Sequence, residues 1–231
     1  MEWFTDPKFL QQLQIIQSQY LPAVWETLYS LTLQTLFAYL IGLPLGVILV
    51  IGRQDCICPL PKPLMRALDV MVNLLRSVPF LILMIIALPL SKLIVGTKIG
   101  TAATIPPMVI AAFPLIARMV ETSLREVDRG VIEAAASMGA STWQIVTKVM
   151  LPEAKPGLIS GAAISMTTIL GYGAMAGIIG GGGLGKLAID YGYYNFKTTV
   201  MWAAVIGLIL LVQVIQSAGT KLSTASDKRL H

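Results

Sequence analysis

Apolar residues run along this chain in long uncharged stretches, without the strict two-residue alternation of half-buried strands. Residues 27–52 hold no charge, and neither do 99–117, 156–185 and 198–220. Each run reaches the roughly 20 residues that a helix needs to cross a bilayer. A fifth run, SVPFLILMIIALPLS from Ser77 to Ser91, is too short alone. It can span only by borrowing residues from Leu64 onward, which predicts a kinked helix over 64–91. The expected order is a lead helix over 1–26, spans at 27–52, 64–91, 99–120, 156–180 and 198–220, and a tail at 221–231. A polar loop at 121–155 joins the third and fourth spans, and a glycine-rich loop at 181–197 joins the fourth and fifth. The fold class is therefore an all-α membrane protein with five transmembrane helices in a single domain.

Composition agrees with this pattern and charge gives it a direction. Hydrophobic residues make up 55% and charged ones 13%, against roughly 25% charged in soluble domains. Eleven basic residues (Arg53, Lys62, Arg66, Arg118, Arg125, Arg129, Lys148, Lys155, Lys221, Lys228, Arg229) fall on one side of the five spans. Five (Lys8, Lys92, Lys98, Lys186, Lys197) fall on the other, and Arg76 lies within the second span. The excess of Lys and Arg on cytoplasmic loops places the N-terminus outside and the C-terminus inside. The net charge of +5 is then a topological signal. It is not clustered as a nucleic-acid footprint would be.

The first 22 residues lack the basic region and small-residue cleavage site of a secretory signal, so they are expected to remain. Phe9, Leu10, Leu13, Ile16 and Tyr20 recur at helical spacing, fitting a helix on the outer membrane surface or a plain lead-in to the first span. Cys56 and Cys58 form a lone C-x-C in a reducing location and read as free thiols. The single histidine is His231, so neither a His-based metal site nor a His-dependent catalytic triad can be built. No catalytic residue is assigned.

The longest polar segment reads as two short helices. VIEAAASM is a run of good helix formers, Gly139 suits a left-handed C-cap, and Ser141 or Thr142 can cap the next helix. Pro152 is expected to close that second helix. Trp143, Ile145, Val146, Val149 and Met150 are apolar, so something must cover them: either the inner ends of the chain's own spans or a soluble partner.

Glu133-Ala134-Ala135, Gly139 and Leu151-Pro152 resemble the EAA loop of bacterial ABC-importer permeases. Val149 stands where that pattern usually has isoleucine. VWETL at 24–28, NLLRSVPF at 73–80, VGTKIG at 95–100, PLIARMVE at 114–121 and GYGAMAG at 171–177 are similar to the methionine-importer permeases. The likeness extends over nearly the whole chain. The N-terminal lead and the cysteine loop depart from it. The resemblance implies a multi-pass protein of the bacterial inner membrane, a homodimer with two cytoplasmic ATPase subunits and an external methionine-binding protein. It also implies that residues 133–152 form a coupling helix seated in the ATPase. ATP and Mg²⁺ would then be bound by the partner and not by this chain, whose only other neighbours are membrane lipids. A sister importer for another amino acid or small polar solute is the first alternative. An ion-driven secondary transporter is the second, although it would usually show paired charges near mid-membrane and an inverted repeat.

Other candidates come from the spans themselves. Gly157, Gly161, Ser165, Gly173, Gly177 and Gly181 lie on one four-residue row, interrupted at Ile169. Such small residues let helix backbones approach, either at a dimer seam or within the chain. Pro79 is a candidate gate, or a structural kink, as are the other span prolines. Asn73 and Arg76 are candidates for the substrate path. Arg76 could instead snorkel to the interface or pair with Asp69, while Arg118 and Glu121 can pair three residues apart. Finally, GGGGLGKL at 180–187 is one residue short of a phosphate loop, with Leu187 in place of Ser or Thr. That loop requires a preceding strand, whereas this segment follows a span, so its glycines are expected to end the fourth helix.

Overall fold

The structure is a computed structural model that describes residues 7–54 and 56–227. The first six residues of the expected lead helix lie outside these, as do Lys228, Arg229 and His231 of the tail. Among the described residues there is no strand. The helices are α1 (Pro7–Ile51), α2 (Lys62–Ser77), α3 (Phe80–Val95), α4 (Thr101–Arg125), α5 (Arg129–Ser137), α6 (Thr142–Gln144), α7 (Leu151–Glu153), α8 (Lys155–Ala176), α9 (Gly183–Leu187) and α10 (Thr198–Ser226). Among the described residues four stretches are long and apolar enough to cross a membrane: Phe9–Ile51, Thr101–Arg125, Lys155–Ile179 and Thr198–Ser226. The pair α2 and α3 makes a fifth if it is counted as one bent span.

Lead and first span form one helix of 45 residues. Where a single kinked second span was expected, two helices stand with a break at Val78 and Pro79. Both residues have extended backbone, with ψ of 129° and 132°, because the residue before a proline is pushed out of the helical region and proline has no N–H to continue the ladder.

The described chain divides into two compact units, and the four long helices each contribute to both. The first unit takes the residues up to Leu36, Pro79–Ile110 and Met166–Ile215. Its core is Ala23, Leu184, Leu187, Val200 and Ala204, against which Ile15, Ile16, Tyr20 and Val24 of α1 pack. Gln12 accepts the backbone N–H of Thr199 at 2.9 Å, and a Cβ on Gly207 would meet the Tyr20 hydroxyl at 2.4 Å. The early turns of α1 therefore lie along the start of α10, where Ile16 and Tyr20 of the apolar spacing pack on protein while Leu10 and Leu13 stay exposed.

The second unit takes Phe37–Val78, Ala111–Ser165 and the described residues from Gln216. Leu49, Met65, Val72 and Ala117 form its core. Close approach of backbones holds its helices: a Cβ on Gly46 would stand 2.6 Å from the Ala117 carbonyl oxygen, so only glycine lets α1 and α4 meet there. Ser223 near the end of α10 donates to the Pro156 carbonyl and accepts from Ser160, both at 2.9 Å.

Candidate functional site

Between α4 and α8 the chain builds the helix pair expected from the sequence. Asp128 caps α5 by accepting the Gly130 N–H at 2.6 Å. Gly139 has φ of +82°, the left-handed conformation in which a Cβ is costly, and it turns the chain out of α5. Ser141 then caps α6 in a reciprocal box with Gln144, which satisfies two N–H groups that a helix start leaves free. Pro152 does not close the following helix. Residues 145–150 form a π-helical stretch, α7 follows, and α8 begins at Lys155. The π register widens the ladder just ahead of a proline that has no N–H to donate.

Burial sorts the apolar residues of this segment into two sets. Ile145, Val146 and Met150 are buried within the second unit, as is Ala135. Met138 is 82% exposed and Trp143 75% exposed, on either side of the Gly139 turn, with Val131 exposed as well. Glu133, Ala134 and Pro152 are exposed and Leu151 is half-buried. Of the five apolar residues that needed cover, the chain's own packing buries Ile145, Val146 and Met150 and half-buries Val149, leaving Trp143 bare together with Met138.

A charge cluster lies at the end of α4. Glu121 is 3% exposed and accepts from Arg118 and Arg125 on its own helix and from Arg53 at 3.4 Å. Arg118 also donates to Asp69 at 2.9 Å and to the Asn73 side-chain oxygen at 3.0 Å. The Arg118–Glu121 pair expected from spacing is made. Asp69, offered as a partner for Arg76, instead pairs with Arg118: seven residues along one helix is about 10 Å, whereas α4 lies alongside. Arg76 is exposed, and no ion pair to it occurs among the described residues.

The small-residue row divides between the two units. In the second, a Cβ on Gly157 would come within 3.1 Å of the Ser123 hydroxyl and one on Gly161 within 3.3 Å of Met119, so this part of α8 packs on α4. In the first, Gly177 abuts Gly185 and Lys186, and Gly181 abuts Ala176 and Thr104. Gly171 and Gly173 face open space. Tyr172 between them stacks on Phe80, the residue after Pro79, with ring centroids 4.2 Å apart and planes 6° from parallel. Neither ring was picked out from the sequence; the signal available was an aromatic set between two glycines within a span.

GGGGLGKL has a different occupant from the one its pattern suggests. A helix precedes it. The Gly183 N–H donates to Glu26 Oε2 at 2.8 Å, the Leu184 N–H donates to Thr27 Oγ1 at 2.9 Å, and the Thr101 hydroxyl donates to the same Glu26 oxygen at 3.1 Å. The backbone donors that would cradle a phosphate are engaged by a carboxylate and a hydroxyl of α1.

Residues 42–226 match the model of the binding-protein-dependent transport system inner membrane component family. The chain belongs to this family. It is 47% identical over 90% of its length, and 92% of the relative's, to the "Probable D-methionine transport system permease protein MetI" of Vibrio cholerae. It is 45% identical to the methionine import system permease protein MetP of Bacillus subtilis, over 73% of this chain and 76% of that one. A chain in an inward-facing crystal structure of the MetNI methionine ABC transporter superposes with a TM-score of 0.90 at 43% identity, over 92% of this chain and 98% of that one. As a component of this family the chain is a membrane transport subunit, and the helical architecture described above is the one it shares with that structure.

Proposed function

We propose that this chain is the permease subunit of an ATP-driven methionine importer of the bacterial inner membrane. Two copies would form the translocation path, and two cytoplasmic ATPase subunits would drive it. The excess of basic residues supports an external N-terminus and a cytoplasmic C-terminus. The α5–α6 segment would then lie where an ATPase can reach it.

The observation that carries the coupling reading is the bare patch formed by Met138 and Trp143 beside Glu133 and Ala134, on a segment whose remaining apolar residues are buried. A partner seated there would complete the burial. Buried aromatics at the centre of an interface commonly carry much of its binding energy. The Gly139 turn, the π stretch and α7 lead from this patch into α8. Movement of the partner is thereby passed to a span. Closure of the ATPases on ATP would rock two permeases to an outward-open state, and hydrolysis would reset them. An external binding protein would deliver the substrate. With the glycine turn engaged by Glu26 and Thr27, we assign ATP and Mg²⁺ to the partner and no catalytic step to this chain.

The substrate follows from the relatives named for methionine and D-methionine transport. Methionine is apolar apart from its zwitterion, so a path with little charge suits it. We assign part of that path to the stacked rings of Phe80 and Tyr172 beside the open backbone at Gly171. A thioether beside an aromatic ring is a favourable contact. Asn73 is engaged with Arg118, which leaves Arg76 as the polar candidate. Pro79, at the break between α2 and α3, is the proposed hinge.

Uptake of labelled methionine into vesicles by the complete transporter, with binding protein and with or without ATP, tests this reading. We expect uptake that requires ATP. Glu133→Ala and Gly139→Val should lower uptake at least about tenfold, while the ATPase subunits continue to hydrolyse. Normal uptake by both variants would remove the coupling assignment, and uptake driven by an ion gradient alone would remove the ATP-driven one.

A further inference from the structure

We infer that the second unit carries a binding site for the phosphate of an anionic phospholipid, at the junction of α1, α4 and α5. A cavity of about 480 Å³ opens there. Arg53, Arg125 and Arg129 line it, with Glu133 the one acid among its described lining residues. The remaining wall is largely apolar, including Val50, Ile51, Leu124, Val127 and Ile132.

Three observations select this ligand. The first is depth: α1 ends at Ile51 and α4 at Arg125, and both are candidate spans, so the cavity lies at a membrane surface where headgroups and upper acyl chains meet. The second is charge. Arg53, Arg118, Arg125 and Arg129 face Glu121, Asp69 and Glu133 in the cavity and the cluster behind it. Among the described residues that line the cavity three guanidiniums stand against one carboxylate, an excess of positive charge that suits a phosphodiester. The third is donor capacity. Arg53 and Arg125 each give N–H groups to Glu121, yet their side chains remain 47% and 43% exposed. A guanidinium has five N–H donors in a fixed fork that matches phosphate, so both can serve Glu121 and an anion together. Arg129, the first residue of α5, lies outside the Glu121 cluster and adds a third fork. Basic pockets between spans on the cytoplasmic side are where anionic headgroups bind, and the apolar wall takes the start of the acyl chains. Bound there, the lipid would brace the end of α1 against α5. The inference needs the spans and the cavity and does not depend on which solute is carried.

The test uses the complete transporter in nanodiscs of phosphatidylcholine and phosphatidylglycerol in equal amounts, released into native mass spectrometry. Phosphatidylglycerol should remain bound in clear excess over phosphatidylcholine. Arg129→Gln should weaken that retention about fivefold, the worth of one basic residue near a charged lipid surface. Its unfolding temperature should match that of the unsubstituted transporter, which separates lost binding from lost folding. Equal retention of the two lipids would overturn the inference, as would unchanged retention in Arg129→Gln. Displacement of the lipid by millimolar inorganic phosphate would assign the site to a free anion. Retention by the isolated chain and none by the assembled transporter would show that a partner side chain fills the cavity. Either result rejects the lipid site while leaving the transport function standing.

Discussion

Two carboxylates within or beside the spans are handled in opposite ways. Glu121 in the second unit is met by three guanidiniums, two from its own helix and one from the loop after α1. Glu26 in the first unit is met by no cation among the described residues; it accepts a hydroxyl and the N–H of a glycine turn 157 residues further along the chain. The first is held by charge, the second by neutral dipoles of the backbone. An ion taken from water is expensive unless paired or hydrogen-bonded, and the chain uses both solutions. The charged solution lies beside the segment proposed to receive force. The neutral one ties α1 to the turn between α8 and α10, and it needs glycine to bring the backbone within reach.

The largest effect should come from breaking the charged side. Glu121→Ala would leave Arg53, Arg118 and Arg125 without their shared acceptor at a buried position. Loss of one partner from such a cluster costs about 3–5 kcal/mol. The unfolding temperature in detergent should fall sharply, or the chain should fail to accumulate. A variant as stable as the original would show that the arginines repartner and that the cluster is dispensable.

The next largest effect should come from the turn on the neutral side. Gly183 has φ of +81°, and a Cβ there would stand 2.5 Å from Thr27 Oγ1. Gly183→Val combines the strained conformation with overpacking, so a loss of about 2–3 kcal/mol is expected. Measured in the same unfolding assay, a loss below that of Gly139→Val, where a Cβ meets nothing within 4 Å, would show that the turn can yield. The close fit at Glu26 would then be loose.

The smallest effect sharpens the contrast most. Glu26→Gln keeps an oxygen that can accept from Gly183 and Thr101, and should change the unfolding temperature little. Glu26→Ala strands both donors, at about 1–3 kcal/mol. If Gln and Ala were equally damaging, charge would matter at Glu26 as it does at Glu121, and the comparison would collapse.

Much of the local structure was legible in the sequence. Gly139 and Ser141 carry their caps where the residue types put them, because capping is decided within a few residues by a side-chain oxygen or a missing Cβ. Arg118 and Glu121 were legible as a pair for the same reason, being three apart on one helix. The partners of Asp69 and Glu26 were not legible. Each is chosen by a helix or turn that is distant in sequence, and composition carries no record of which one. Phe80 and Tyr172 escaped for a similar reason, since 92 positions separate two rings that stack at 4.2 Å.

The sequence alone determined that the chain has stretches long and apolar enough to cross a membrane, where Gly139 and Ser141 cap the helix pair, and the family it resembles. These follow from uncharged length, from caps and from short motifs, all of which act over at most about 20 residues. The tertiary structure alone decided which apolar residues of the α5–α7 segment are bare, which glycines are pressed against another backbone, and that a phosphate-like turn is already filled by a carboxylate. Those are questions of what fills a given volume and satisfies a given donor. The answer comes from whichever element packing brings alongside, however far away it lies in the chain.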